Sequence, residues 1–192
     1  MGRRPIPARR IIPLLVVLVF IAAGVLRLGG PVGLPTEGTI AKVVDGDTVH
    51  VAADGRVHKV RLIGVDTPEA YQSHKLEADA KRSRQDRQTI MALGRRASEF
   101  TRQLCDGRRC RLEYDQANAA RGHRDRYKRL LAFLWVTDDA GGEVLVNAEI
   151  IRQGYGQAMT RYAFDDVRKE EFRQLQREAR DHKRGLWTDW KP

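Results

Sequence analysis

The hydrophobic pattern divides the chain into three regions. Residues 11–26, IIPLLVVLVFIAAGVL, form one apolar run that carries no charge. Residues 29–38, GGPVGLPTEG, have no periodicity and the Gly and Pro density of a short linker. From Thr39 onward the pattern becomes regular. Runs rich in β-branched residues predict strands at Thr39–Val44, Asp47–Ala53 and Val57–Val65. Asp54-Gly55 between the last two predicts a tight hairpin. Thr67-Pro68 breaks the third strand, because Pro removes a ladder donor. The polar, basic stretch from Glu69 to Gln88 reads equally as a loop or as an exposed helical extension. Ile90, Leu93, Ala97, Phe100 and Leu104 then recur at three- and four-residue steps, one face of an amphipathic helix that stops before Gly107.

Strands at Arg109–Tyr114 and Arg129–Val136 follow, with loop over Asp115–Gly122 and a turn at Asp138–Gly142. Asn147 is expected to N-cap a short helix that ends at Gly154. A last helix is predicted over Asp166–His182, with Phe172, Leu175 and Ala179 on its apolar face. Gly185 ends it, and Trp187 and Trp190 are expected to pack back onto the core. A three-stranded meander, a helix and two more strands predict an α+β fold. Its core would be a five-stranded Greek-key barrel of the OB type, with about three helices packed on it. The chain of 192 residues suffices for one such domain, over residues 39–192, plus an extra segment.

Charge sharpens the reading of the N-terminus. Lys and Arg number 35 against 25 Asp and Glu, a formal net charge of +10. Arg3, Arg4, Arg9, Arg10 and Arg27 lie in the first 30 residues, where there is no acid. Without those five, 30 basic residues face 25 acidic ones, so about half of the excess belongs to the N-terminal segment. A basic stretch (residues 1–10) before an apolar one (residues 11–28) is expected to be a signal-anchor or transmembrane helix, or else a cleaved signal peptide. Either puts the bulk of the chain outside the cytoplasm: membrane-anchored, or secreted if the segment is cut. The remaining excess suits a polyanionic partner or a solvated surface.

Cys105 and Cys110, in CDGRRC, have neither zinc-site nor C-x-x-C spacing. They read as a small-loop disulfide in an exported domain or as two buried thiols.

The chemistry gathers at the ends of the Asp-Gly hairpin. Asp45 and Asp47 enter it, and Asp66 and Glu69 leave it. With Asp54-Gly55 at the turn, Asp47 stands opposite about Leu62. The chain after Leu62 must therefore curl back if Asp66 is to meet Asp47. Two carboxylates and a backbone carbonyl would form an oxygen-rich pocket for a hard divalent ion, calcium rather than zinc. The five histidines are scattered and form no ligand set. Arg61 and Arg129 would neutralise charge on a phosphoryl transition state. Glu69 is the candidate to orient or deprotonate water. Asp45 is a turn residue or an acid that hydrogen-bonds behind the ligands.

VVDGDTVHV followed by VRLIGVDTPE resembles the thermonuclease, or staphylococcal-nuclease-like, family. DRYKRLLAFLWV, VNAEIIRQGYGQA and AR…GLW continue the likeness in order, over roughly Thr39 to Trp187. The resemblance implies a calcium-dependent nuclease that hydrolyses DNA and RNA and leaves 3′-phosphates. It places the calcium carboxylates on Asp47 and Asp66, the metal-binding carbonyl on Thr67, the phosphate-contacting arginines on Arg61 and Arg129, and the catalytic glutamate on Glu69. The chain departs from the family at three points. Lys128 stands where the family has Gly. The segment from Glu69 to Ile90 is longer and more basic, an inserted solvated stretch or a clamp that tracks the strand. Thr160 replaces a tyrosine near the nucleotide pocket, leaving Tyr162 and Tyr127 as candidates to stack on bases. Lys128 joins them as a candidate substrate contact. The chain is expected to be monomeric, with DNA or RNA as partner and the membrane engaged through the N-terminal helix. Two rival readings are a non-catalytic nucleic-acid-binding module and a structural protein that docks its basic loop on lipid.

Overall fold

The computed structural model describes residues 33–83 and 86–188. The basic stretch and the apolar run at residues 1–28 lie outside the described residues, as does Trp190. Among the described residues no helix is long and apolar enough to cross a membrane.

The Asp-Gly hairpin forms as the sequence predicts. Asp54 and Gly55 both take positive φ, 51° and 72°, the turn whose twist matches the flanking strands. It joins β2 (Thr48–Ala53) to β3 (Arg56–Leu62) in antiparallel register, with Thr48 opposite Arg61. β1 (Glu37–Asp45) pairs with β2 through two irregularities in register, at Ile40/Lys42 and Val43/Asp45. These bend β1, so its first residues also pair with β5 (Arg109–Glu113). β5 pairs antiparallel with β6 (Leu130–Thr137), and β6 returns parallel to β3, with Arg61 opposite Leu131. The order β1-β2-β3-β6-β5-β1 closes a mixed five-stranded barrel with no edge among its members. A short β7 (Glu143–Leu145) extends β6 on its outer side.

The predicted strand over Val57–Val65 is broken. β3 stops at Leu62, and Val65–Asp66 form a separate two-residue strand, β4, paired with β8 (Gln157–Ala158). The break is at Gly64, where φ is +80° and an added Cβ would meet the Phe172 ring at 2.6 Å. Only Gly fits there, and its turn supplies the curl that carries Asp66 back toward Asp47.

The stretch after Glu69 is helical. α1 (His74–Ser83) starts at Ser73, whose hydroxyl accepts from the Leu76 amide at 3.0 Å, and is anchored by fully buried Leu76. α2 (Arg87–Cys105) buries Ile90, Gly94, Ala97, Ser98, Thr101 and Cys105. This face overlaps the expected one at Ile90 and Ala97 but is rotated from it, since Leu93, Phe100 and Leu104 are only half-buried. The reason is close approach. Small residues let α2 press on the chain at Glu69, while Phe100 stacks on Tyr155 with centroids 4.4 Å apart.

α3 (Val146–Arg152) starts from Leu145 without a side-chain cap, so Asn147 does not N-cap it. Asn147 instead lies fully buried and ties β6 to the turn that follows β3. Its Oδ1 accepts from the Leu134 amide at 2.9 Å, and its Nδ2 donates to Ile63 O at 2.8 Å and Ala132 O at 3.3 Å. α4 (Asp166–Asp181) buries Phe172, Leu175 and Ala179, as the periodicity predicts. Phe172, Phe133 and Phe164 meet with centroids 5.8–6.2 Å apart, joining helix to barrel. Trp187 is buried in the 3-10 turn Gly185–Trp187. Cys105 and Cys110 are two buried thiols with no bridge between them.

Candidate active site

Closure of the barrel brings both ends of the hairpin to one cleft of about 610 Å³. Asp45, Asp47, Arg61, Asp66, Glu69 and Arg129 all line it. The sequence reading gathered these six from positions up to 84 residues apart.

Arg61 is the hub. It leaves β3 into an almost fully buried position, 5% exposed. Its Nη2 lies 3.1 Å from Asp47 Oδ2 and 3.2 Å from Asp66 Oδ1. Its Nη1 donates to Leu62 O and Val65 O, each at 2.8 Å, holding the two sides of the Gly64 turn together. Burial opposes the guanidinium charge, but Asp47, Tyr162, Asp66 and Asp45 around it raise its pKa above the ordinary value. The two carboxylates thus meet on one cation, which the hairpin spacing alone required but did not guarantee.

Asp47 is held on every side. Oδ2 also accepts from the Thr67 amide at 3.0 Å and the Thr67 hydroxyl at 3.2 Å, and Oδ1 accepts from Thr48 Oγ1 at 3.1 Å. Asp45 Oδ1 accepts from the Asp47 amide at 3.1 Å, so Asp45 braces the turn while facing the cleft. Burial, and then Asp47 beside it, push the Asp45 carboxyl up to about 6.

Arg129 stands across the cleft. Asp125 accepts from its backbone amide at 2.9 Å through Oδ1 and from its Nε at 2.7 Å through Oδ2. Its Nη1 reaches Thr48 Oγ1 at 3.4 Å, so a chain of donors runs from Arg129 through Thr48 to Asp47. Neither Thr48 nor Asp125 is picked out by sequence reasoning. The signal for Asp125 is the D-x-Y-x-R spacing, an Asx turn that lets one carboxylate hold the residue four positions on. Glu69 lies on the third side, its Oε2 accepting from Ser73 Oγ at 3.0 Å. His74 and Ala78 of α1 line the same cleft, so the inserted basic stretch forms part of its wall.

Tyr127 is 63% exposed at the cleft rim, with the Arg126 and Arg129 guanidinium carbons 4.7 and 5.5 Å from its ring centroid. Tyr162 lies 5.9 Å from the Arg61 guanidinium. Lys128 is exposed, has φ +63°, and is not among the cleft-lining residues. It occupies the left-handed conformation that a Gly would take without strain.

With this geometry in hand, comparison with known proteins decides the family. The profile described as "Staphylococcal nuclease homologue" matches residues 59–189. The chain belongs to the staphylococcal nuclease family. It is 29% identical over 150 residues to the thermonuclease of Staphylococcus hyicus, covering 78% of this chain and 75% of that one. It is 31% identical over 148 residues to the thermonuclease of Staphylococcus intermedius, covering 77% and 74%. It is 27% identical over 151 residues to the endonuclease YncB of Bacillus subtilis, covering 78% of this chain and 61% of the relative. This staphylococcal nuclease homologue is a nuclease, and its family implies a nucleic-acid substrate. The profile match contains Arg61, Asp66, Thr67, Glu69 and Arg129, whereas Asp45 and Asp47 precede it.

Proposed function

We propose that the chain is a calcium-dependent nuclease on an OB-type barrel, cleaving DNA or RNA at the Asp47–Asp66–Arg61 cleft by in-line attack of water and leaving 3′-phosphates. What carries the reading is the meeting of Asp47 and Asp66 on Arg61 in a cleft that also holds Glu69 and Arg129.

The donors at that point fit a hard cation. They are carboxylates and carbonyls, not thiolates or imidazoles, and among the described residues no group of three or more His, Cys, Asp or Glu is placed to hold a metal ion. An oxygen site with few protein ligands leaves coordination positions for water and phosphate, as calcium accepts. Asp47, Asp66 and the Thr67 carbonyl would hold the ion. Calcium bound there supplies Lewis-acid polarisation of the phosphate and a less basic water.

The chain's own groups do the rest. Arg129, fixed by Asp125, presents its guanidinium to charge building on the phosphoryl oxygens. Arg61 keeps both carboxylates in place and adds positive charge to the same wall. Glu69, oriented by Ser73, accepts the proton of the attacking water. Tyr127 and Tyr162 offer ring faces to the bases, and Lys128 adds charge beside the rim. Residues 11–28 are read as a membrane anchor or signal segment that places this domain, from residue 39, outside the cytoplasm. The charge distribution of the N-terminus supports this.

The chain incubated with single-stranded DNA in calcium, then in chelator, then in restored calcium, should cut, stop and resume. Binding without scission in calcium would leave a non-catalytic nucleic-acid-binding module. Undiminished scission in chelator would remove calcium from the account.

A further inference from the structure

Beside the cleft lies a second groove, of about 530 Å³, that no step above uses. It is continuous with the first, because Arg126, Tyr127, Arg129, Arg161 and Tyr162 line both. It extends away from Glu69 and the Asp47–Asp66 pair to Arg121 and Arg124. Arg121 ends the 3-10 turn Gln116–Arg121, which Gly122 closes in the left-handed conformation at φ +59°. Arg124 follows two residues later and donates Nη1 to Lys128 O at 2.9 Å, so it is fixed to the same tight turn that carries Arg129.

Five arginines therefore line this groove, and its one acid is Asp125. Asp125 is already committed to Arg129 through both oxygens. Among the described residues Arg121, Arg124, Arg126 and Arg161 have no ion pair, and all four are exposed. Arg111, Arg152, Arg173 and Arg177 each lie against a Glu, and what sets the groove apart is that its arginines share one depression. A row of guanidinium groups without carboxylates is a place for several anionic groups, each of which a guanidinium can take in a two-pronged contact. The exposed Tyr127 ring, flanked by two of these guanidiniums, stands where the two depressions join. An aromatic face beside a basic track matches single-stranded nucleic acid better than a lipid surface, which offers no bases to stack.

We propose that this groove is an extended subsite that binds the phosphates of the strand flanking the scissile bond, with Arg121 and Arg124 as its distal contacts. It gives the enzyme a preference for a polynucleotide strand over a dinucleotide. The inference deepens the nuclease reading and rests on scission occurring in the Asp47–Asp66 cleft.

The test is the Arg121→Ala/Arg124→Ala protein, compared with wild type in two assays. The first is fluorescence anisotropy of a labelled dodecanucleotide in chelator, across a salt series, which needs no catalysis. The second is kcat/KM in calcium on a dinucleotide and on the dodecanucleotide. Two lost phosphate contacts should weaken dodecanucleotide binding about 10-fold and lower the slope of log affinity against log salt by about 1.4. Dodecanucleotide kcat/KM should fall by a similar factor, and dinucleotide kcat/KM should not change. Because Arg124 also holds the turn, Arg121→Glu alone provides a second variant, expected to weaken the dodecanucleotide at least as much, while Arg121→Lys keeps most of the affinity. Equal losses on both substrates, or no change in affinity and salt slope, would overturn the subsite. So would lost binding to phosphatidylserine vesicles with oligonucleotide affinity intact. If wild type cuts neither substrate, the cleavage reading fails, and the salt slope still decides the groove.

Discussion

Gly94→Ala tests how the fold places Glu69. Gly94 lies within α2, and a Cβ there would sit 2.4 Å from Glu69 C, 2.5 Å from Ala70 N and 2.5 Å from Glu69 O. These are backbone atoms and cannot rotate aside, so α2 and the Glu69 segment must part by about 1 Å to restore ordinary contact. Two terms oppose each other in stability. Ala inside a helix gains about 0.8–1 kcal/mol over Gly, and overpacking costs about 1–3 kcal/mol. The net is a loss of up to about 2 kcal/mol. The effect on catalysis should be larger, because the displaced backbone carries Glu69, whereas Asp47 and Arg61 stand on the barrel. A displacement of about 1 Å can cost roughly 100-fold in rate. Denaturant unfolding, single-turnover cleavage and oligonucleotide affinity would be measured on the same protein. The expected result is a rate lowered roughly 30- to 100-fold, with affinity within about 3-fold of wild type and modestly reduced stability. A wild-type rate in a destabilised protein would show that the contact exists but does not set the rate. Unchanged rate and unchanged stability would refute the contact itself.

Three further outcomes are expected. Arg61→Ala leaves the buried Asp47 and half-buried Asp66 carboxylates without their shared cation and should cost about 3–5 kcal/mol in denaturant unfolding. Asn147→Ala orphans the Leu134 amide and removes the side-chain donor to the Ile63 carbonyl, while the Ala132 carbonyl keeps the Ile63 amide. It should cost about 2–4 kcal/mol, again by denaturant unfolding, with little effect on oligonucleotide affinity. Burial pushes the Cys105 thiol up to about 12 and the Cys110 thiol up to about 11. Both should resist alkylation in the native protein near pH 8 and react in denaturant, as mass spectrometry would read. In the unfolded chain these thiols ionise from about 8.5, below their folded values. Their contribution to stability is therefore complete below that pH and declines as pH rises toward 11 and 12.

The hairpin was legible because its determinants are local. Asp-Gly sets the turn, period-two alternation sets the faces, and together they fix Thr48 opposite Arg61. The break at Gly64 was not legible, because it depends on Phe172, more than a hundred positions away, filling the space a Cβ would need. The buried face of α2 was legible at Ile90 and Ala97 and misplaced at Leu93, Phe100 and Leu104, for a related reason. Periodicity weights large apolar side chains, whereas this helix also buries Gly94, Ser98 and Thr101 to come close to the Glu69 segment. Asn147 read as a cap because Asn at a helix start most often is one, but its amide joins β6 to the turn after β3, a distant part of the chain. In the site, the acids and arginines were visible as residue types. Thr48 and Asp125, which tie Arg129 to Asp47, became visible only once the barrel had closed.

The central claim is that this cleft performs the hydrolysis, with Glu69 taking the proton of the attacking water. Its most direct test is single-turnover cleavage of a single-stranded oligonucleotide by Glu69→Gln in calcium, alongside the affinity of the same protein for that strand. Gln keeps the shape and can still accept from Ser73, but it cannot take a proton at neutral pH. The account expects a rate lowered about 100- to 10,000-fold with affinity within about 3-fold of wild type. A Glu69→Gln protein that cuts at the wild-type rate would contradict it.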